Sequence, residues 1–492
     1  SHAAEVATLR EHLAQNPRHY NSHTRLIARL REDGDLAAAR EAREAMAAQF
    51  PLTEAQWLEW VADEAACDAD GAHAAYMLEL LRRATDDYLS VELWVKRALC
   101  ARSAAGSDDD TRRELEEAVT SAGFHVLEGH RLWTAYVGYE LERMQAMEEA
   151  GEDTGEQGAR VRALFKRWLA VPHMGLQEAR AQYEAWEDAV GAAPDPALLA
   201  AADKAQEALD ERLPFELALM DAAKADGAAA AAAKHLLSDS QWEAWQAYVA
   251  FERKAQPTRA EMLFERAVAA APLAERAWRA YLDFLKAELP VPSKLTRTSR
   301  RAARNCAWSV HLWCDAMLLC EKHGNSREAE DALFGAAFAS GLSKPPDFVQ
   351  LFCARLAALS RRVAGGADAD AAAVRDMIAY GLEYVTQHHP GTDPGDTFAR
   401  LAARVQALRL GDFGAARDLY EGILRRHGTV AADWVECVSL MLEAGGAGAE
   451  GHARTLFRRA ANTVRDDGDA LAQAWLRFEA ARGSVEEYEV AR

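Results

Sequence analysis

The sequence predicts an all-α fold: an α-solenoid of about twelve helix-pair repeats of the TPR-like kind, arranged in two sub-arrays. Three observations predict it. Ala, Leu, Glu and Arg dominate, and apolar residues recur at helical spacing. β-Branched residues are sparse and period-two alternation is missing. An aromatic signature returns along the whole chain, most often in steps of 33 to 39 residues.

The signature is W-x-x-Y-x-x-F-E. It stands almost complete at Trp245, Tyr248, Phe251 and Glu252, and returns at Trp133, Tyr136, Tyr139 and Glu140 and at Trp278, Tyr281 and Phe284. Degraded copies begin at Trp57 (with Trp60 and Glu64), Trp94, Trp313 and Trp434. Tails of others are Tyr183, Trp186 and Glu187, and Trp475, Phe478 and Glu479; weak copies fall at His23, Phe352 and Ala399. Behind most anchors comes a second helix of the form A-R-x-x-F-x-R-A, clearest at 159–169, 260–268, 416–424 and 453–460. Aromatics at i, i+3 and i+6 share one helix stripe. The small Ala of the second helix lets the pair approach, and each pair leaves an apolar face that only the next pair can cover. The expected repeat core is therefore Trp57, Trp94, Trp133, Tyr136, Trp245, Tyr248, Trp278, Tyr281, Trp313 and Trp434. The repeats' acidic positions, Glu140, Glu187, Glu252 and Glu479, read as interhelical hydrogen-bonding groups.

Two steps are longer, at 47 residues, and one reaches 65. The longest holds Pro214, then Asp226-Gly227, then the run Ala228–Ala233, where a helix can end and restart. This places a joint near residue 235, dividing a first sub-array (1–235, repeats one to five) from a second (236–492, repeats six to twelve). Stretches 106–110, 151–158 and 365–370, rich in Gly and Asp, read as solvent loops.

Composition narrows the function. The 57 Lys and Arg against 77 Asp and Glu leave a net charge of −20, which disfavours nucleic-acid binding by the whole surface. Arg outnumbers Lys 47 to 10. That skew reads first as coding-base composition and second as suited to acidic partners, since Arg holds carboxylates bidentately. The seven cysteines (67, 100, 306, 314, 320, 353 and 437) are odd in number and form no CxxC; buried thiols in a reducing compartment are expected, with Cys306, Cys314 and Cys320 as core rather than a zinc site. No apolar stretch approaches the roughly 18 residues of a membrane helix, and no signal peptide opens the chain. Ser1-His2 reads as an added remnant, and the end at Arg492 as that of a fragment.

Enzyme motifs are missing. Gly446, Gly448 and Gly451 spell GxGxxG, but between two helices of one repeat, where a loop is the better reading than a dinucleotide site. His388-His389 before Pro390 reads as a solvated pair. No catalytic residue, metal ligand or cofactor is assigned. One basic cluster stands out: Lys294, Arg297, Arg300, Arg301 and Arg304, the four arginines at i, i+3, i+4 and i+7 of a helix in repeat seven. It is either a solvated face or a strip for an acidic partner peptide or RNA.

The helix-pair motif resembles the HAT (half-a-TPR) repeat of RNA-processing scaffolds. The strings 16–23 (NPRHYNSH), 50–60 (FPLTEAQWLEW) and 301–313 (RAARNCAWSVHLW) resemble the HAT domain of the squamous cell carcinoma antigen recognised by T cells 3 family, the U4/U6 snRNP recycling factors. That resemblance implies a nuclear, non-enzymatic scaffold in pre-mRNA splicing that dimerises through its second sub-array. It further implies partners among U4/U6 snRNP proteins and a recruited ubiquitin-specific protease. In that family RNA-recognition motifs follow the HAT region, so RNA contact within it is expected to be weak or indirect. Phe352, Phe398, Leu401, Tyr420 and Trp434, from repeats nine to eleven, are the interface residues this suggests. The alternatives are a HAT scaffold of mRNA 3′-end cleavage and polyadenylation or of the U1 snRNP, or an RNA-binding module working through Arg297–Arg304.

Overall fold

The structure, a computed structural model, describes residues 2–67, 73–104, 106–225, 236–324, 326–363, 368–388, 390–391, 393–445 and 448–492. Among these residues it contains 25 α-helices and no strand, and no helix is long and apolar enough to cross a membrane. The joint expected near residue 235 falls at the edge of 226–235, which lie outside the described residues, as do Gly446 of the GxGxxG string, His389 of the histidine pair and 365–367 of the loop expected at 365–370.

Local chemistry sets the helix ends. Asp35, Ser107, Ser326, Asp412 and Asp467 each accept the backbone N–H three residues on, satisfying a donor that the first turn leaves open. Ser238 and Gln241 form a reciprocal capping box. Pro257 and Pro292 occupy first turns, where a missing N–H costs nothing. Pro214 instead lies inside the 30-residue helix Pro196–Ala225. Side chains on either side of it are locked to the next repeat, Arg212 to Glu252 and Glu216 to Arg266, and these ties hold both halves of the interrupted helix.

The chain divides into two compact units, Ser1–Cys306 and Ala307–Arg492. In each, sequence-adjacent helices pack as pairs around the motif residues. Ala260, Ala416 and Ala453, small residues opening the second-helix motif, have no exposed surface, so the partner helix sits directly on them, whereas Ala159 of the fourth clear copy is exposed and Val161 is the buried residue there. The motif's aromatic then packs on the following repeat: Phe165 tilts onto Tyr183 at 5.4 Å, and Phe264 stacks on Tyr281 at 5.2 Å and Phe457 on Trp475 at 5.6 Å between ring centroids. All ten aromatics expected in the repeat core are buried.

In the second unit, repeats nine and ten carry Phe352 and Ala399 at the anchor. Phe352 is fully buried and meets Phe334, Phe338, Tyr380, Tyr384 and Phe398, five rings doing what one Trp does elsewhere. The crowding reaches the backbone of the neighbouring helix: a Cβ on Gly381 would lie 2.4 Å from Phe398 Cζ.

Candidate interaction surfaces

The repeat's acidic position is the lower half of an ion-pair clamp. Glu64 receives Arg40 at 2.8 and 2.5 Å, Glu140 receives Arg112 at 2.8 and 3.1 Å, and Glu187 receives Arg162 at 2.7 Å twice. Arg212 grips Glu252 at 2.6 and 2.9 Å, and Arg454 reaches Glu479 at 3.1 Å. In each case the Arg comes from a preceding helix and the Glu from the next signature helix. The bidentate arginines Arg40 and Arg162 hold the carboxyls of Glu64 and Glu187 below the usual carboxylate range. These glutamates are structural, and nothing about them is catalytic.

A second device uses the same residue type. Arg83 lies over Trp57, Arg97 over Trp94, Arg167 over Trp133, Arg266 over Trp245, Arg301 over Trp278 and Arg459 over Trp434, at 4.6 to 5.7 Å from the ring centroids. Each of these cations is also ion-paired, to Glu44, Glu114, Glu116, Glu216, Glu265 and Glu421 respectively. A planar guanidinium can cover an indole and grip a carboxylate at once, and an ammonium cannot. These arginines thus have a structural use inside the fold.

The basic helix Pro292–Asn305 is not a uniform strip. Arg301 is buried, donating to Glu265 at 2.7 and 2.9 Å and to the Asp87 carbonyl at 3.2 and 2.9 Å. Arg304 donates to the Ala47 carbonyl at 2.8 Å and stands 3.7 Å from Asp87. Arg297 pairs with Asp86 at 2.6 Å, Lys294 with Glu261 at 2.7 Å, and Tyr88 donates to Asn305. Arg300 is exposed. Spacing of i, i+3, i+4, i+7 gathers these arginines on one face, but only Arg301 is buried there, against repeat two, with Arg304 reaching repeat one and Arg300 exposed; Arg301 is a brace within the first unit and not a free contact. Repeat seven is tied back to repeat two across more than 200 residues of chain, within the first unit.

Behind this tie lies a cavity of about 450 Å³, lined by Trp94, Phe124, Glu261, Met262, Tyr281 and Lys294 among others. Its carboxylates and cations are paired with one another, Glu261 with Lys294 and Glu265 with Arg301.

The suggested dimer-interface residues are placed differently from the expectation. Phe352, Phe398, Tyr420 and Trp434 expose 2% of their surface or less, because they fill the core between helices. Leu401 alone is partly accessible. Cys306, Cys320 and Cys437 are buried, Cys100, Cys314 and Cys353 partly so, and Cys67 is exposed. Among the described residues no cluster of His, Cys, Asp or Glu could hold a metal ion.

Residues 4–332 match the family described as Suppressor of forked protein (Suf). The chain is 30% identical, over 99% of its length, to relatives from Mus musculus and Homo sapiens named "Spliceosome associated factor 3, U4/U6 recycling protein". It spans about half of those relatives, 49% of each. The crystal structure of CSTF-77 is similar at 14% identity, with a TM-score of 0.39 over 88% of this chain and 86% of that one.

Proposed function

Since the chain belongs to the Suppressor of forked family, we propose that it is a non-enzymatic scaffold acting in U4/U6 snRNP recycling during pre-mRNA splicing. The observation that carries this reading is the 30% identity sustained along 99% of the chain to relatives bearing that name. The fold supports it, for a helical-repeat array offers extended surfaces for protein partners. On this reading the protein is nuclear and its partners are proteins of the U4/U6 snRNP. The finer part of the proposal is recruitment of a ubiquitin-specific protease and a homodimer formed through residues 236–492; both rest on the resemblance to the recycling-factor family, and symmetric pairing is the commonest oligomer.

The test is an affinity pull-down from nuclear extract with this chain as bait, identifying bound proteins and RNAs together. Recovery of U4/U6 proteins with a ubiquitin-specific protease is the expected result. Recovery of cleavage and polyadenylation factors or U1 proteins in their place would overturn the assignment and leave the scaffold role. Light scattering should give twice the 54.0 kDa of the chain at micromolar concentration; the single-chain mass would refute the dimer.

A further inference from the structure

We propose that Arg18, Arg300 and Arg304 of the first unit, with Tyr20 beside them, form a docking patch for a short acidic peptide segment of a partner protein. The proposal rests on the scaffold reading above and says which surface and what partner chemistry that scaffold uses.

The residues come together at one end of the helix Leu36–Gln49. Arg304 reaches the carbonyl of Ala47 in its last turn, and Arg18, from the loop before repeat one, lies 5.5 Å over the ring of Phe50, the residue that closes the helix. Tyr20 stacks edge-on against the same ring at 5.4 Å and is 40% exposed. Arg300 is exposed on the helix that delivers Arg304. Two arginines from opposite ends of the first unit thus converge on one helix terminus. Burial lowers the pKa of Arg18, and the charge of Arg304 lowers it further, as expected where positive charge is in local excess.

The nearby carboxylates cancel only part of that excess. Asp86 is engaged by Arg297. Asp87, held in the core by the Leu52 N–H and the Trp57 Nε1–H at 2.9 Å each, offsets Arg304 at 3.7 Å, so the excess rests on Arg18 and Arg300, which pair with no carboxylate among the described residues. A local cationic patch on a chain of net charge −20 selects for the size of its anion. A long polyanion would run onto repelling surface, whereas a peptide of a few carboxylates meets only the patch. The exposed Tyr20 ring adds an apolar platform beside the cations.

The experiment measures fluorescence anisotropy of a labelled hexaglutamate peptide on the full chain at low salt, with a six-nucleotide single-stranded RNA as the competing probe. Saturable peptide binding is expected, weakening as salt rises. The double variant Arg18→Glu/Arg300→Glu should bind about tenfold more weakly or worse. The control Arg417→Glu/Arg458→Glu, two exposed arginines of the second unit with the same change in charge, should stay within about twofold. Far-UV circular dichroism checks folding, and the single variant Arg300→Glu at an exposed site serves if the double variant unfolds. Equal loss in the control, no loss in the patch variant, no saturable binding, or tighter binding of the RNA with the same loss would each overturn the proposal. If the patch variant still captures U4/U6 proteins at wild-type yield, the patch is refuted while the scaffold stands. If the wild-type chain captures none, it is the scaffold reading that fails.

Discussion

Arg212 and Glu252 are the most enclosed of the clamps, with side chains 4% and 3% exposed. Two N–H donors of Arg212 meet the carboxylate, a third reaches the Ala208 carbonyl at 2.5 Å, and the guanidinium lies 5.3 Å over Phe251. Arg212→Ala leaves a carboxylate sealed from water without its bidentate partner, and only the more distant charge of Arg259 still acts on it. Removing one partner of such a pair costs about 3–5 kcal/mol, most of it the penalty of the stranded charge. The effect should be local, because each repeat contacts its neighbours, so global melting is the wrong probe. Hydrogen exchange over Asp239–Ala255 is the right one, and its protection should fall on the order of 10²- to several-10³-fold. Arg162→Ala should do less, because the Arg162 side chain is 43% exposed and water can replace it on Glu187. Arg212→Met with Glu252→Leu should recover most of the protection, since an apolar pair has no charge to desolvate. Unchanged exchange in Arg212→Ala, a larger loss in Arg162→Ala, or a double variant worse than the single would each refute the clamp as a buried-charge device.

Gly381→Ala should destabilise the second unit by about 1–3 kcal/mol, because the new methyl collides with the fully packed Phe398; urea unfolding of the chain followed by exchange over residues 397–408 would show it. His173 is fully buried between Trp168 and His130, and burial pushes its pKa down to about 4. The unfolded chain takes up a proton near pH 6.5 that the folded one refuses, so this contribution is intact above that pH and is lost as pH falls from about 6.5 to about 4. Thermal melts of His173→Phe should accordingly be flatter over that window than those of the parent. Arg301→Ala should expose the tie between repeats two and seven, raising exchange in 85–95 and 292–305 together, while Arg300→Ala on the same helix should leave both unchanged.

The repeat core was legible because aromatic spacing and helix geometry share one period: Trp278, Tyr281 and Phe284 can lie on no other face. The acidic positions were legible as a class, and their partners could have been found too. Arg40, Arg162 and Arg454 precede Glu64, Glu187 and Glu479 by 24, 25 and 25 residues, a spacing visible in the sequence alone. Arg212 sits 40 residues before Glu252 across a stretched repeat, so the same rule misses it. The resemblance points to repeats nine to eleven but carries no signal that separates interface from core, and Phe352 and Trp434 lie in the core. The tie from Arg301 to Asp87 has no local signature at all. It depends on the rise and twist accumulated over five repeats, a sum of small rotations that no single motif encodes.

The arginine framework also determines which covalent chemistry can reach the protein. A guanidinium keeps its charge across the whole biological pH range and is not a target of acetylation, ubiquitination or amine-directed reagents. Those modifications have ten lysine side chains to work on, and none of the clamps or indole-covering cations described above is among them. Lys294, paired with Glu261 at the mouth of the first unit's cavity, is the exception that touches the internal architecture. Acylation there would strip a counter-charge from Glu261 while leaving every arginine brace in place. Signals written on lysine can therefore alter the surface of this scaffold at a few chosen points without loosening its frame.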